Sequence, residues 1–138
     1  VGAGKALYQT SNWDIAFTEN GGATTPTWQY IDPYLLNPGF CCDQTAVYVP
    51  SRNVIIREGL IFGTGAAQGI DLDVSSPATP GTVCQYHLSA GLFGGTDGNL
   101  MDYPKLAFSN SNLYLTYNQY TPSGSAWINT NLVRFNLD

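Results

Sequence analysis

Two stretches of this chain lie over one another without a gap. "DQTAVYVPSRNVIIREGLI" from Asp43 aligns with "DYPKLAFSNSNLYLTYNQY" from Asp102. Val47 falls on Leu106, Val49 on Phe108, Asn53 on Asn112, Val54 on Leu113, Ile56 on Leu115 and Ile61 on Tyr120. The tails align as well, with "VCQYHLS" from Val83 over "LVRFNLD" from Leu132 and a longer middle loop in the first copy. A repeat of this length predicts one supersecondary unit used twice, with the shared Asn in a tight turn that favours a left-handed backbone. Each unit reads as strand, turn, strand, loop, strand, turn, strand. One such sheet cannot bury both of its faces, so neighbouring sheets must stack on it.

The remaining pattern agrees. No window sustains apolar residues at helical spacing, whereas short alternating runs such as "ALYQT", "WDIAFT", "IDLDV" and "AWINT" recur between Gly-, Pro- and Asn-rich turns. The expectation is an all-β chain of four-stranded antiparallel meanders, the unit of a β-propeller blade. An up-and-down barrel or a sandwich is the alternative. The expected units are residues 1–37 as a partial blade without an obvious innermost strand, then 42–93 and 102–138, all in one domain. About two and a half blades fall short of the four or so that close a propeller. The missing blades are expected from a longer polypeptide or from further copies of the chain, and an uncovered sheet edge needs a partner.

Charge limits the partners. Five basic residues and a net charge of -5 leave no basic stripe for phosphates, which argues against nucleic acid and anionic lipid. No apolar run is long enough to span a membrane as a helix, and no signal-peptide pattern opens the sequence. Charged residues are only 11%, and polarity comes from Asn, Thr, Ser, Gln and Tyr. That balance suits a secreted, extracellular β protein.

The stretch "FTENGGATTPTW" resembles an Asp-box, the S-x-D-x-G-x-T-W turn of sialidase-like propellers. Thr18 stands for the usual Ser and Asn20 for Asp, Gly22 and Thr24 keep the spacing, and three residues intervene before Trp28. "GFCCDQTAVYVPSRN" with "DYPKLAFSNSNLYLTYN" is similar to secreted bacterial and environmental sialidase-like propeller proteins. The resemblance implies a propeller fold. It leaves function open among lectin, scaffold and hydrolase. A sialidase-like glycoside hydrolase grips a carboxylate with three Arg. This chain has Arg52 in a turn and Arg57 and Arg134 within strands, without the Arg-Ile-Pro signature. Catalysis therefore needs residues from further blades. The leading expectation is a non-catalytic module that binds glycan or acts as a scaffold, with a self-assembling structural protein as a third reading.

Several residues carry that expectation. Asp43 and Asp102 each precede a first strand and are expected near one rim. There they bind a cation or sugar hydroxyls, act as acid and base, or merely cap the turn. Tyr34, Phe40, Tyr103 and Trp13 lie in turns and are candidates to stack on sugar rings. Asp71 and Asp73 share one strand face, which suggests a calcium site or an ordinary solvated face. No other cofactor is expected. His87, the single His, reads as a structural polar residue rather than a base.

Three Cys is an odd count. Cys41 and Cys42 lack the surroundings of a redox or zinc motif, and Cys84 lies on the outermost strand, a sheet's width away. The expected pairing is a vicinal Cys41–Cys42 disulfide that stiffens the strand and aims Asp43, with Cys84 free and buried.

Overall fold

The computed structural model describes residues 1–137. It is all-β, with three antiparallel sheets in chain order. The first has the order β1 (Gly2–Ala3), β2 (Ala6–Thr10), β3 (Ile15–Thr18), β4 (Gln29–Ile31). A four-residue helix α1 (Pro33–Leu36), capped by Asp32, leads to the second sheet: β5 (Phe40–Val49), β6 (Val54–Ile61), β7 (Gly69–Ser76), β8 (Thr79–Ser89). The third holds β9 (Leu100–Phe108), β10 (Asn112–Tyr120) and β11 (Trp127–Asn136). No closed barrel forms among the described residues.

Three expectations need correction. The first sheet does have a first strand, only two residues long. The tail match also misplaces a strand: β11 pairs with β10 and so holds the position of β7, not of β8. Lastly, Asn53 sits at φ 52, whereas its partner Asn112 already opens β10 without a left-handed backbone.

The second sheet is the middle layer. Its alternating side chains feed two cores, because successive strand residues point to opposite faces. One face sends Val49, Ile56, Ile70 and Leu72 against Met101, Leu113, Leu115 and Tyr117 of the third sheet. The other sends Ile55, with Ala46 and Tyr48, against Tyr8, Ile15 and Phe17 of the first.

The ungapped repeat does not describe this stacking. Val54 and Leu113, like Ile56 and Leu115, meet within one core from opposite sides. A difference in the turns explains it. The pair Val49 and Val54 closes a loop of four residues, while Ser109 N–H donates to the Asn112 carbonyl around a two-residue tip. The left-handed bulge residues are Asp43 (φ 42) and Tyr103 (φ 57), one step out of the repeat register. Aligned on bulge and turn, Ile55 corresponds to Leu113 and Arg57 to Leu115, so each sheet turns the same face backward onto its predecessor. A one-residue shift reverses every side chain in a strand.

At one end of the strands the β5–β6 and β9–β10 turns adjoin, where Ser51 Oγ donates to the Asn110 carbonyl at 3.1 Å. The leading ends of β5 and β9 lie at the opposite end, with the 62–68 loop, where Phe62 N–H bonds the Gly39 carbonyl at 2.8 Å.

Leu115 is fully buried between the second and third sheets, whereas Leu132 on the outer face of the third is 68% exposed. Leu115→Ala is expected to cost about 2–5 kcal/mol in chemical denaturation. Leu132→Ala should stay within about 0.5 kcal/mol.

Candidate functional site

The leading end of β5 is shaped by three consecutive residues. Cys41 and Cys42 are joined by a disulfide, with Cα atoms 3.7 Å apart. Strand register shifts on both sides of Cys42, and Asp43 is the residue squeezed out of the ladder. A bulge re-aims the local side chain, and here it turns a carboxylate out of the sheet. The matching bulge on β9 follows Asp102 and holds Tyr103, whose ring lies 4.8 Å from the Lys105 ammonium. Asp43 and Asp102 are half-buried on adjoining strands. Neither receives a hydrogen bond from the described residues, so the capping role has no bond to support it.

The aromatic candidates divide. Trp13 (61% exposed) and Tyr103 (61%) are open to solvent, as is Tyr34 on α1. The Trp13 turn is drawn to the same end because the Gln44 amide donates to the Ser11 and Asp14 carbonyls. Phe40 is not a surface residue. It is buried, stacked edge-on against Tyr34 at 5.4 Å and 5.8 Å from the Arg57 guanidinium carbon. The strand pairing of Phe40 with Ile61 turns its ring inward.

Asp71 and Asp73 share a face, but that face is not solvated. Both are buried against Arg57, which is 1% exposed. Arg57 Nε donates to Asp73 Oδ2 at 2.9 Å, and Nη2 binds the same oxygen. Nη1 donates to Gln44 Oε1 at 2.8 Å, and Nη2 also reaches Asn37 Oδ1. Asn37 Nδ2 donates to Asp71 Oδ2 at 2.9 Å, and Gln85 Nε2 to Asp73 Oδ1 at 3.1 Å. His87 Nδ1 lies 2.6 Å from Asp71 Oδ1, and its Nε2 lies 2.8 Å from the Ala66 carbonyl. Protein donors therefore occupy the oxygens a cation would need. Gly59 makes the room, since a Cβ there would lie 3.0 Å from Arg57 Nη1 and 3.1 Å from Phe40.

Sequence reasoning missed this network and the role of Arg57 in it. The signal was the charged pair inside "VIIREGLI", because a charge in a buried strand must find a partner. Glu58 shows the other outcome. It points to the opposite core and is fully buried, with Thr45 Oγ1 donating to Oε1 at 2.6 Å. Its Oε2 has no hydrogen-bond partner among the described residues. Burial raises its pKa to about 8, against smaller opposing effects of the Thr45 bond and the Lys105 charge. Burial likewise pushes the Tyr8 phenol up to about 12.

The three Arg do not converge. Arg57 is internal, Arg52 Nε bonds the Leu137 carbonyl at 2.8 Å, and Arg134 is exposed on β11. Cys84 is free as expected but exposed rather than buried, since it lies on the edge strand β8. The chain matches no protein-family model, no curated protein and no solved structure.

Two tests follow. Arg57→Met strands a buried carboxylate, and unfolding free energy should fall by about 3–5 kcal/mol, with Arg57→Met/Asp73→Leu recovering most of it. Glu58 gains a proton affinity on folding, so its contribution is complete below pH 4.5 and is lost as pH rises through about 8. Glu58→Gln should flatten stability across that window and make the protein more stable than wild type above it, as read by thermal melts from pH 4 to 9.

Proposed function

We propose that the chain is part of an extracellular β-propeller-type module that recognises glycan and does not cleave it. The observation that carries this reading is the surface at the leading ends of β5 and β9. Trp13, Tyr34 and Tyr103 are exposed, and the carboxylates Asp43 and Asp102 are half-buried at those strand ends. Exposed aromatic faces stack on the apolar faces of sugar rings, and carboxylates accept hydrogen bonds from hydroxyls.

Further features support it. Sheets that stack in chain order, with β5 against β9, suit propeller blades. A vicinal disulfide suits an oxidising compartment. The buried charges Arg57, Asp71 and Asp73 belong to one hydrogen-bonded network inside the fold, with Asn37 linking Arg57 to Asp71. The dispersed Arg residues lack the convergence that a carboxylate grip requires.

A glycan array with the labelled chain tests the reading. Binding to a defined glycan set, reduced about tenfold or more in Trp13→Ala/Tyr103→Ala, is the expected result. Binding to no glycan, or binding indifferent to both substitutions, would remove this surface as a recognition site.

A further inference from the structure

A second polar site lies on the third sheet, and neither Asp43 nor Trp13 is among its lining residues. It is a pocket of about 300 Å³ beside the 94–99 loop. Four carboxamides line it: Asn99, Gln119, Asn129 and Asn131. Phe93 and Ile128 supply apolar surface. No charged side chain is among its lining residues.

The amides are held rather than loose. Asn131 Nδ2 donates to Gln119 Oε1 at 3.1 Å and to Asn129 Oδ1 at 2.8 Å. That uses both hydrogens of one amide and fixes its two neighbours. Left over are Gln119 Nε2, Asn131 Oδ1, Asn129 Nδ2 and both polar atoms of Asn99, none bonded to another side chain among the described residues. Gln119 is 4% exposed and Asn99 is 6% exposed. Glu58 Oε2 is the one buried side-chain oxygen or nitrogen without a partner among the described residues, so these amide atoms reach the accessible surface of the pocket, where a ligand or water can meet them.

The surrounding loop is built around them. Phe93 is anchored in the core by Tyr117 and Phe135, with ring centroids 6.3 and 6.1 Å away. The loop closes through Gly95 N–H to the Ala90 carbonyl at 3.0 Å and Gly91 N–H to Asp97 Oδ1 at 3.0 Å. A Cβ on Gly95 would come within 2.7 Å of Gln119 Nε2. Gly95 thus keeps the space in which that amide stands.

The geometry points to a binding site for a neutral, hydroxyl-rich ligand of monosaccharide size. Amides both donate and accept, as hydroxyls do, and their convergence on a partly apolar pocket matches a pyranose ring with its polar rim and apolar face. The volume is at the small end of the ~300–1,000 Å³ range of ligand pockets. An acidic sugar finds no cation here to meet its carboxylate. This inference rests on the glycan-recognition reading, but it adds a separate site and a ligand class.

The test is an NMR titration of the labelled protein. The probes are glucose, galactose, mannose and N-acetylglucosamine, with N-acetylneuraminic acid as the acidic counterpart. At least one neutral sugar should shift the side-chain amide signals of Asn99, Gln119, Asn129 and Asn131 saturably. Asn129→Ala, an exposed position, should weaken that binding about tenfold, the loss of one ligand hydrogen bond. Gly95→Ala should weaken it more by displacing Gln119, while Trp13→Ala leaves it unchanged. Melting curves show whether each variant is folded, and Asn129→Ala carries the test should Gly95→Ala not fold.

Neutral sugars that leave these amide signals unmoved overturn the assignment, as does binding that survives Asn129→Ala. A response to the acidic sugar alone overturns the ligand class. Shifts confined to Trp13, Tyr34 and Tyr103 remove the pocket and leave glycan recognition standing. No response here together with a blank array removes both.

Discussion

The buried guanidinium of Arg57 sets the terms for half of this structure. A charge so far from water needs a counter-charge and a partner for each N–H group. Asp73 supplies the charge from β7, Gln44 reaches in from β5, and Asn37 comes from the segment after α1. Gln44 and Asn37 each pass the connection on, Gln44 to the 11–14 turn of the first sheet and Asn37 to Asp71. One cation thereby ties the first sheet, the α1 linker and three strands of the second. Such a cluster adds little net stability against an apolar core, since desolvation offsets the Coulomb attraction. Its consequence is geometric: each hydrogen bond of the cluster fixes the position of one element against another.

The second interface shows the contrast. Between the second and third sheets the corresponding position is Leu115, and the core there is built of aliphatic and aromatic side chains, with Glu58 buried beside them. Apolar packing is non-directional, so it holds the sheets together without dictating their partners. The polar cluster and the vicinal disulfide lie on the same stretch of β5 and bracket Asp43. A rigid backbone on one side and a hydrogen-bonded Gln44 on the other hold that bulge in place.

Much of the fold was legible because strand period and turn chemistry are local properties. The alternation in "NLYLTYNQY" announces a strand with one buried face, and β10 buries every second residue. The Cys41–Cys42 bridge was legible for a similar reason, since adjacency leaves few alternatives once Cys84 is placed on a distant strand. The site was harder to read. Phe40 looked like a turn residue and Asp71 and Asp73 like a wet face, because nothing nearby in sequence reveals that Arg57 folds over them. The amides of the third sheet gave no warning either. Asn129 and Asn131 alternate with exposed residues as any edge strand does.

What the sequence by itself determined is most of the strands, their antiparallel hairpins and the covalent clamp at Cys41 and Cys42. These depend on side-chain period, turn residues and chain adjacency, all within a few residues. The third sheet has three strands where four are expected, because Trp127–Asn136 runs as one strand. Only the tertiary structure decided which face of each strand meets which sheet. The repeat set Val54 against Leu113, yet a shorter turn and a shifted bulge brought the two together across one core. Period two states that alternate residues share a face. It does not state what covers that face, and that is settled by a register that one residue in a turn can reverse.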